Sequence, residues 1–205
     1  MRNFYFATSL LIFLTAVVLS SDSLFRSGSQ ATQTAASEMV FQQNTEQIKQ
    51  GEHLVLIMGC HDCHTPKKMT AEGPVLDKSR ALSGHPSNMP DPDIDRKEIE
   101  QKGLAVTQTL TSWVGPWGIS YASNLTPHPS GIGNWTEKNF ITAIRHGKHR
   151  GVEGARMLLP PMPWEMYANM TDKETRAIFA YLKSLKPINN VVPAAKPPVL
   201  ASESK

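Results

Sequence analysis

Cysteine is almost absent: the 205-residue chain holds only 2, Cys60 and Cys63. That excludes a disulfide framework, because a bridge between positions this close would close too small a loop to restrain much of the chain. It also removes the second cysteine pair that a structural zinc site needs, and adjacent Cys63 and His64 do not easily aim at one tetrahedral ion. An excess of one charge is lacking too: 21 Lys+Arg stand against 18 Asp+Glu, a formal +3, without a dense basic block. The chain therefore carries no nucleic-acid signature. No internal repeat is visible, and the length suits one domain with one core.

Long apolar runs are missing except at the N-terminus. There Arg2 precedes "FYFATSLLIFLTAVVL", from Phe4 to Leu19. The run is shorter than the roughly 20 residues that a spanning helix prefers. Residues 1–20 are expected to be an export signal cut after Ser20, the alternative being a retained N-terminal anchor. No lipobox cysteine follows. Residues 21–45, rich in Ser, Thr, Ala and Gln, are expected to be a flexible linker. The working domain is placed at residues 46–187, and residues 188–205 form a Pro-rich tail, extended across a surface or into solvent.

Three helices can be placed within that domain. The first runs from about Glu46 to Met58 straight into Cys60, with Ile48, Gly51, Val55 and Met58 along one face. The second lies in "NWTEKNFITAIRHG", where Thr136 suits the N-cap, Phe140, Ala143 and Ile144 share a face, and Gly147 fits the left-handed C′ position. The third begins at "TDKE", Thr171 to Glu174, a capping box, and carries Ile178, Tyr181, Leu182 and Leu185 as its stripe until Pro187. Prolines and glycines fill the space between the first and second helices, with no convincing strand alternation. The expected fold class is all-α with long loops, short enough of apolar surface that a large hydrophobic ligand would help to complete the core.

The chemistry is concentrated in "MGCHDCHTP", Met58 to Pro66. In C-x-x-C-H both thiols can add across the vinyl groups of one haem while the histidine gives its imidazole to iron. Cys60 and Cys63 are the expected thioether residues and His64 the proximal ligand. A thioredoxin-like pair would instead open a helix after a strand, whereas here a helix precedes the motif. For the sixth ligand, any single methionine is ordinarily core filler, and His53, His61, His85, His128, His146 and His149 are ordinarily solvated or hydrogen-bonded surface groups, His61 exposed. "LLPPMPWEMY" stands apart, since Pro161 and Pro163 stiffen the loop on either side of Met162. Met157 is the runner-up, while Met166 and Met170 are assigned to core or solvent. "GIGNWT" lacks the third glycine of a dinucleotide fingerprint, and "DPDIDR" departs from a calcium loop at Arg96 and Lys102.

"GCHDCHTP", "NLTPHPSGIGNWTEKNFITAIRHG", "LLPPMPW" and "MTDKETRAIFAYLKSL" together resemble class I c-type cytochromes, in particular the branch similar to cytochrome subunits of periplasmic sugar and alcohol dehydrogenases. The resemblance covers most of residues 46–187. It implies a cytochrome c fold around one covalent haem c, with the first and last helices crossing near Gly51 and Tyr181, and it supports Met162 as the methionine ligand. It further implies that "NLTP" and "GIGNW" line the haem edge, with Asn124 and Trp135 as candidate propionate contacts. The long segment from Lys67 to Tyr121 exceeds a minimal member of that family.

The expected function is that of an exported, periplasmic monohaem electron carrier rather than an enzyme, with His64 and Met162 on iron, passing single electrons between a dehydrogenase and an oxidase or another cytochrome. Lys67 and Lys68, beside the attachment motif, are candidates for steering an acidic partner. A haem enzyme or gas sensor with an open sixth position is the alternative, and a haem-free thiol–disulfide protein is the reading from another class.

Overall fold

A computed structural model of the chain describes residues 37–199. The expected signal at residues 1–20 and linker residues 21–36 lie outside the described residues. The chain divides into two units at Glu46 and Gln47. In the first, residues 37–46 are helical, so the part of the expected linker that is described is helix instead.

The second unit opens with helix α1, residues 47–57. It does not run straight into Cys60 as expected. Gly59 takes a left-handed conformation at φ 68°, breaks the helix and starts the short α2, Cys60–His64. Strands β1, Lys67–Thr70, and β2, Gly73–Leu76, follow, then α3, Arg96–Gln101, and strands β3, Ser112–Gly115, and β4, Gly118–Tyr121. Three more helices complete the unit: α4, Glu137–His146, α5, Trp164–Tyr167, and α6, Asp172–Ser184.

The all-α expectation is therefore corrected: the chain is helical with two antiparallel hairpins, β1–β2 and β3–β4. In the second hairpin Val114 pairs with Ile119 in register, and both side chains are buried. Val106 adds an isolated bridge to Val114, and Lys196 of the tail adds another to Ile119. The tail thus lies across the protein surface as an extra edge strand. Gly118 permits this, because a Cβ there would sit 2.0 Å from the Lys196 carbonyl oxygen.

The helix starts follow the sequence signals. Thr136 caps α4 in a box completed by Asn139, and Thr171 caps α6 in a box completed by Glu174. Each box satisfies two backbone donors that the first turn would otherwise leave open. Gly147 ends α4 at φ 64°. The two helices are tied by Arg145 to Asp172 at 2.5 Å and Arg176 to Glu137 at 2.8 Å.

The core gathers Val55, Leu82, Ile132, Phe140, Ile178 and Leu182. Phe140 and Phe179 stack with centroids 5.2 Å apart. Helices α1 and α6 meet backbone to backbone. A Cβ on Gly51 would lie 1.9 Å from the Ala177 carbonyl oxygen and 2.7 Å from the Tyr181 Cβ. This is the crossing that the resemblance implied.

Asp77, at the end of the first hairpin, is buried and accepts from Ser79, Arg80 and Lys68. The Ser79 hydroxyl first, then Arg80 and Lys68, hold its carboxyl well below the usual carboxylate range.

Two outcomes follow from these contacts. Gly51→Val should cost about 3 kcal/mol in denaturant unfolding of the haem-loaded protein, because neither backbone can yield where the helices touch. A depressed folded-state pKa makes the Asp77 contribution complete above the ordinary aspartate range and lost as pH falls through the folded value. Asp77→Asn should therefore be less stable near neutrality and show a shallower acid limb when unfolding is followed against pH.

Candidate functional site

Helix α2 sets Cys60 and Cys63 one turn apart, on the same face. Both are free thiols, half-buried. Burial pushes the Cys60 thiol up to about 11 and raises Cys63 as well. An exchange-active pair needs the opposite, a stabilised thiolate. Among the described residues no three His, Cys, Asp or Glu side chains gather to hold a bare metal ion.

His64 ends α2 and is only 8% exposed. Its Nδ1 lies 2.7 Å from the Ser123 carbonyl oxygen. A carbonyl only accepts, so Nδ1 carries the hydrogen and Nε2 keeps its lone pair. Burial, ahead of every other influence, lowers the pKa of this imidazole and favours its neutral form.

The surroundings hold that ring from two chain segments. Gly84 N–H donates to the His64 carbonyl at 2.8 Å, and Leu82 N–H to the Thr65 hydroxyl at 2.9 Å. His85 N–H donates to Ala122 O and Leu125 N–H to Leu82 O, so segment 82–85 is laced to segment 122–125. The two pass so closely at Gly84, φ 78°, that a Cβ would sit 2.5 Å from the Ala122 oxygen and 2.7 Å from the Asn124 nitrogen. Glycine there lets the Ser123 carbonyl reach the imidazole.

Lys67 is tied to the fold. Its Nζ donates to the carbonyls of Thr65 at 2.6 Å, Asp62 at 2.8 Å and His61 at 3.4 Å, and so caps the C-terminal end of α2. Lys68 pairs with Asp77 at 3.0 Å. Both charges are engaged by the fold.

Met162 is half-buried, in a loop tied at several points. The Ser120 hydroxyl donates to Pro160 O at 2.6 Å, Trp117 Nε1 donates to Ser120 at 3.1 Å, and Trp164 N–H donates to Met162 O at 2.9 Å. Just beyond, the Tyr167 hydroxyl donates to Met58 O at 2.9 Å, bringing the methionine segment to the start of the cysteine turn. Burial first, and then Cys60 and Cys63, push this phenol up to about 12. Met157 is 38% exposed, Met166 is more exposed still, and Met170 packs on the core.

Trp135 packs half-buried against the core. Asn124 has another occupation. Its Nδ2 donates to Ile188 O at 2.9 Å and Ser130 Oγ at 3.2 Å, and its Oδ1 accepts from Thr126 N at 2.9 Å and Oγ1 at 2.8 Å. Its side-chain amide hydrogens are thus given to acceptors within the protein. A partner the sequence did not single out, Asn190, donates to Ser83 O at 2.7 Å and His85 O at 2.9 Å and accepts from Ser87 N at 2.9 Å. These two asparagines clasp the tail to the segments behind His64.

His61 and His85 also depart from expectation. His61 is half-buried and bonded to the Thr65 hydroxyl at 2.9 Å. His85 is fully buried, bonded to Thr111 Oγ1 at 2.9 Å and tilted against Tyr121 at 5.0 Å, with Nε2 unpartnered.

Two thiols on one turn beside an imidazole held neutral, with its Nε2 lone pair free, suit the covalent attachment of haem c. The cytochrome c family model matches residues 48–186. The chain belongs to the cytochrome c family. Its cofactor is therefore covalent haem c with iron, the group of an electron-transfer protein. Among its relatives is the cytochrome subunit of fructose dehydrogenase from Gluconobacter japonicus, 36% identical over 85 residues, which are 40% of this chain and 17% of that protein. The cytochrome c subunit of a quinone alcohol dehydrogenase from Gluconobacter oxydans is 29% identical over 143 residues, 69% of this chain and 22% of that protein. The cytochrome c subunit of gluconate 2-dehydrogenase from Pantoea cypripedii is 33% identical over 82 residues, 40% of this chain and 17% of that protein. The chain thus matches less than a quarter of the length of each of these relatives.

Asn124→Ala should lower stability by about 2–3 kcal/mol, since it strands several buried partners, and should leave the haem midpoint potential where it was. Unfolding and potentiometry on one sample separate this role from a propionate contact, which would move the potential.

Proposed function

We propose that this cytochrome is an exported single-electron carrier in which Cys60 and Cys63 hold one haem by thioether bonds and His64 Nε2 and Met162 Sδ occupy the two axial positions. The observation that carries this reading is the His64 Nδ1–Ser123 carbonyl bond, which presents Nε2 alone as the ligating atom. The same bond raises ligand basicity and fixes ring orientation. When bound, haem c supplies one-electron chemistry at iron. The chain contributes the rest. Ser123 and Gly84 lock His64, Lys67 caps the attachment turn, and Ser120 and Trp117 brace the loop that offers the thioether. Trp135, half-buried against the core, would be the propionate contact. With His64 and Met162 both given to iron, a bound haem would have no position left for substrate, and its chemistry would be single-electron transfer.

The names of the relatives favour a dehydrogenase as donor, with an oxidase or a further cytochrome as acceptor. The apolar stretch Phe4 to Leu19 supports export to the periplasm, with residues 1–20 removed or kept as an anchor. Among the described residues no helix is long and apolar enough to cross a membrane. Residues 46–187 are the haem-binding domain, followed by a tail over residues 188–205.

The test is an absorption spectrum of the wild type beside Met162→Ala, oxidised, reduced, and reduced with carbon monoxide. The wild type should be low-spin, show a sulfur-to-iron charge-transfer band and ignore carbon monoxide. Met162→Ala should lose the band and bind the gas. Ready binding by the wild type would instead mean an open sixth position and a haem enzyme or sensor.

A further inference from the structure

Electron transfer needs a surface at which a partner docks, and the lysines flanking the attachment motif are taken up by the fold. Unpaired cations lie elsewhere. Between His146 and Leu158 the chain doubles back on itself: Lys148 bridges Met157, His149 N–H donates to Arg156 O at 2.9 Å, and Leu158 N–H donates to Gly147 O at 2.6 Å. This brings Lys148, His149, Arg150 and Arg156 together. Among the described residues none of the three permanent cations has an acidic partner, and the Arg156 guanidinium donates only to its neighbour's carbonyl, Met157 O, at 2.8 Å. The one acid in the stretch, Glu153, lies 3.8 Å from Lys138. Burial first, and then Arg156 and Arg150, lower the pKa of His149, as expected for an imidazole crowded by both.

The same patch carries exposed apolar side chains, Val152 at 54% and Met157 at 38%. Its base is continuous with the methionine loop. A Cβ on Gly147 would touch the Trp164 ring at 2.5 Å and the Met157 methyl at 2.8 Å, and Trp164 N–H holds Met162 O. An apolar spot with a cationic border, two residues of packing from an axial ligand, has the composition of a short-lived electron-transfer interface.

We propose that Lys148, Arg150 and Arg156, around Met157 and Val152, form the docking surface of this cytochrome for an acidic redox protein, so that electrons cross on the Met162 side of the haem. This rests on the single-electron carrier reading with Met162 at iron. Unlike charge raises the encounter rate, and the weak apolar contact lets the partners separate after one transfer.

The experiment is stopped-flow oxidation of the reduced haem-loaded protein by plastocyanin, used as an acidic copper-protein probe, over a range of ionic strength. One variant is Lys148→Gln, Arg150→Asn, Arg156→Gln, asparagine being chosen because Arg150 sits at φ 58°. A control removes three exposed lysine charges elsewhere: Lys78→Gln, Lys173→Gln, Lys186→Gln. The patch variant should lose about tenfold in second-order rate at low salt, with a flattened salt dependence, while the control changes by less than about twofold. Both should react like wild type with benzoquinone, an uncharged oxidant. Should the Arg156 change disturb the Met162 charge-transfer band, the Lys148→Gln, Arg150→Asn pair decides by the same comparison, with a loss of at least about threefold expected. Equal slowing of patch and control variants, or no slowing, overturns the proposal. So does retention of wild-type plastocyanin rates by a patch variant that has lost binding to phosphatidylglycerol vesicles, which would assign the patch to a lipid surface. Absence of covalent haem in the wild type would defeat the carrier reading itself, a different result from any of these.

Discussion

The hydrogen bond from His64 Nδ1 to the Ser123 carbonyl is the constraint around which the rest is arranged. One neutral hydrogen bond contributes only about 0.5–1.5 kcal/mol to stability, but its directional effect is larger. It decides which imidazole nitrogen keeps a free lone pair. To place that carbonyl, segment 122–125 must run against segment 82–85, and Gly84 is the residue that lets the backbones approach. The lacing between those segments, the Asn124 and Asn190 clasps and the edge strand at Lys196 keep the carbonyl where the imidazole needs it. The tail, which in sequence looks like an afterthought, belongs to this scaffold.

Charge is allocated by the same logic. Lys67 neutralises the carbonyl end of the five-residue α2, which is too short to be stable alone. Lys68 and Arg80 satisfy the buried Asp77. Cations paired with a carboxylate are poor at long-range steering, because the neighbouring negative charge cancels their field. Among the described residues the cations around Met157 have no acidic partner, and they sit behind the loop that carries Met162. The cysteine side of the site is thus built for rigidity, and the methionine side retains an outward field.

The sequence disclosed local features and missed those that depend on distant contacts. The capping boxes at Thr136 and Thr171, the left-handed Gly147 and the C-x-x-C-H turn are each written within a few consecutive residues, and each was legible. So was the Gly51–Tyr181 crossing, through the family resemblance. The hairpins were not. Their strands are four residues each, β1–β2 is largely exposed, and β3–β4 carries glycines, so neither shows a sustained period of two. Asn124 drew notice because its neighbours fit a motif, but its place in the scaffold could not be read there. One of its bonds runs to Ile188, more than sixty positions away. His85 was unreadable for a related reason: its burial depends on Thr111 and Tyr121, which only the folded loop brings to it.

The central claim is that His64 Nε2 and a methionine sulfur complete the iron sphere of a covalently attached haem. X-ray absorption fine structure at the iron edge of the purified, haem-loaded wild type tests it most directly. The account predicts a six-coordinate iron with one sulfur scatterer and an imidazole opposite it, in both oxidation states. A sphere without sulfur, whether five-coordinate or closed by a second imidazole such as that of the buried His85, would contradict it.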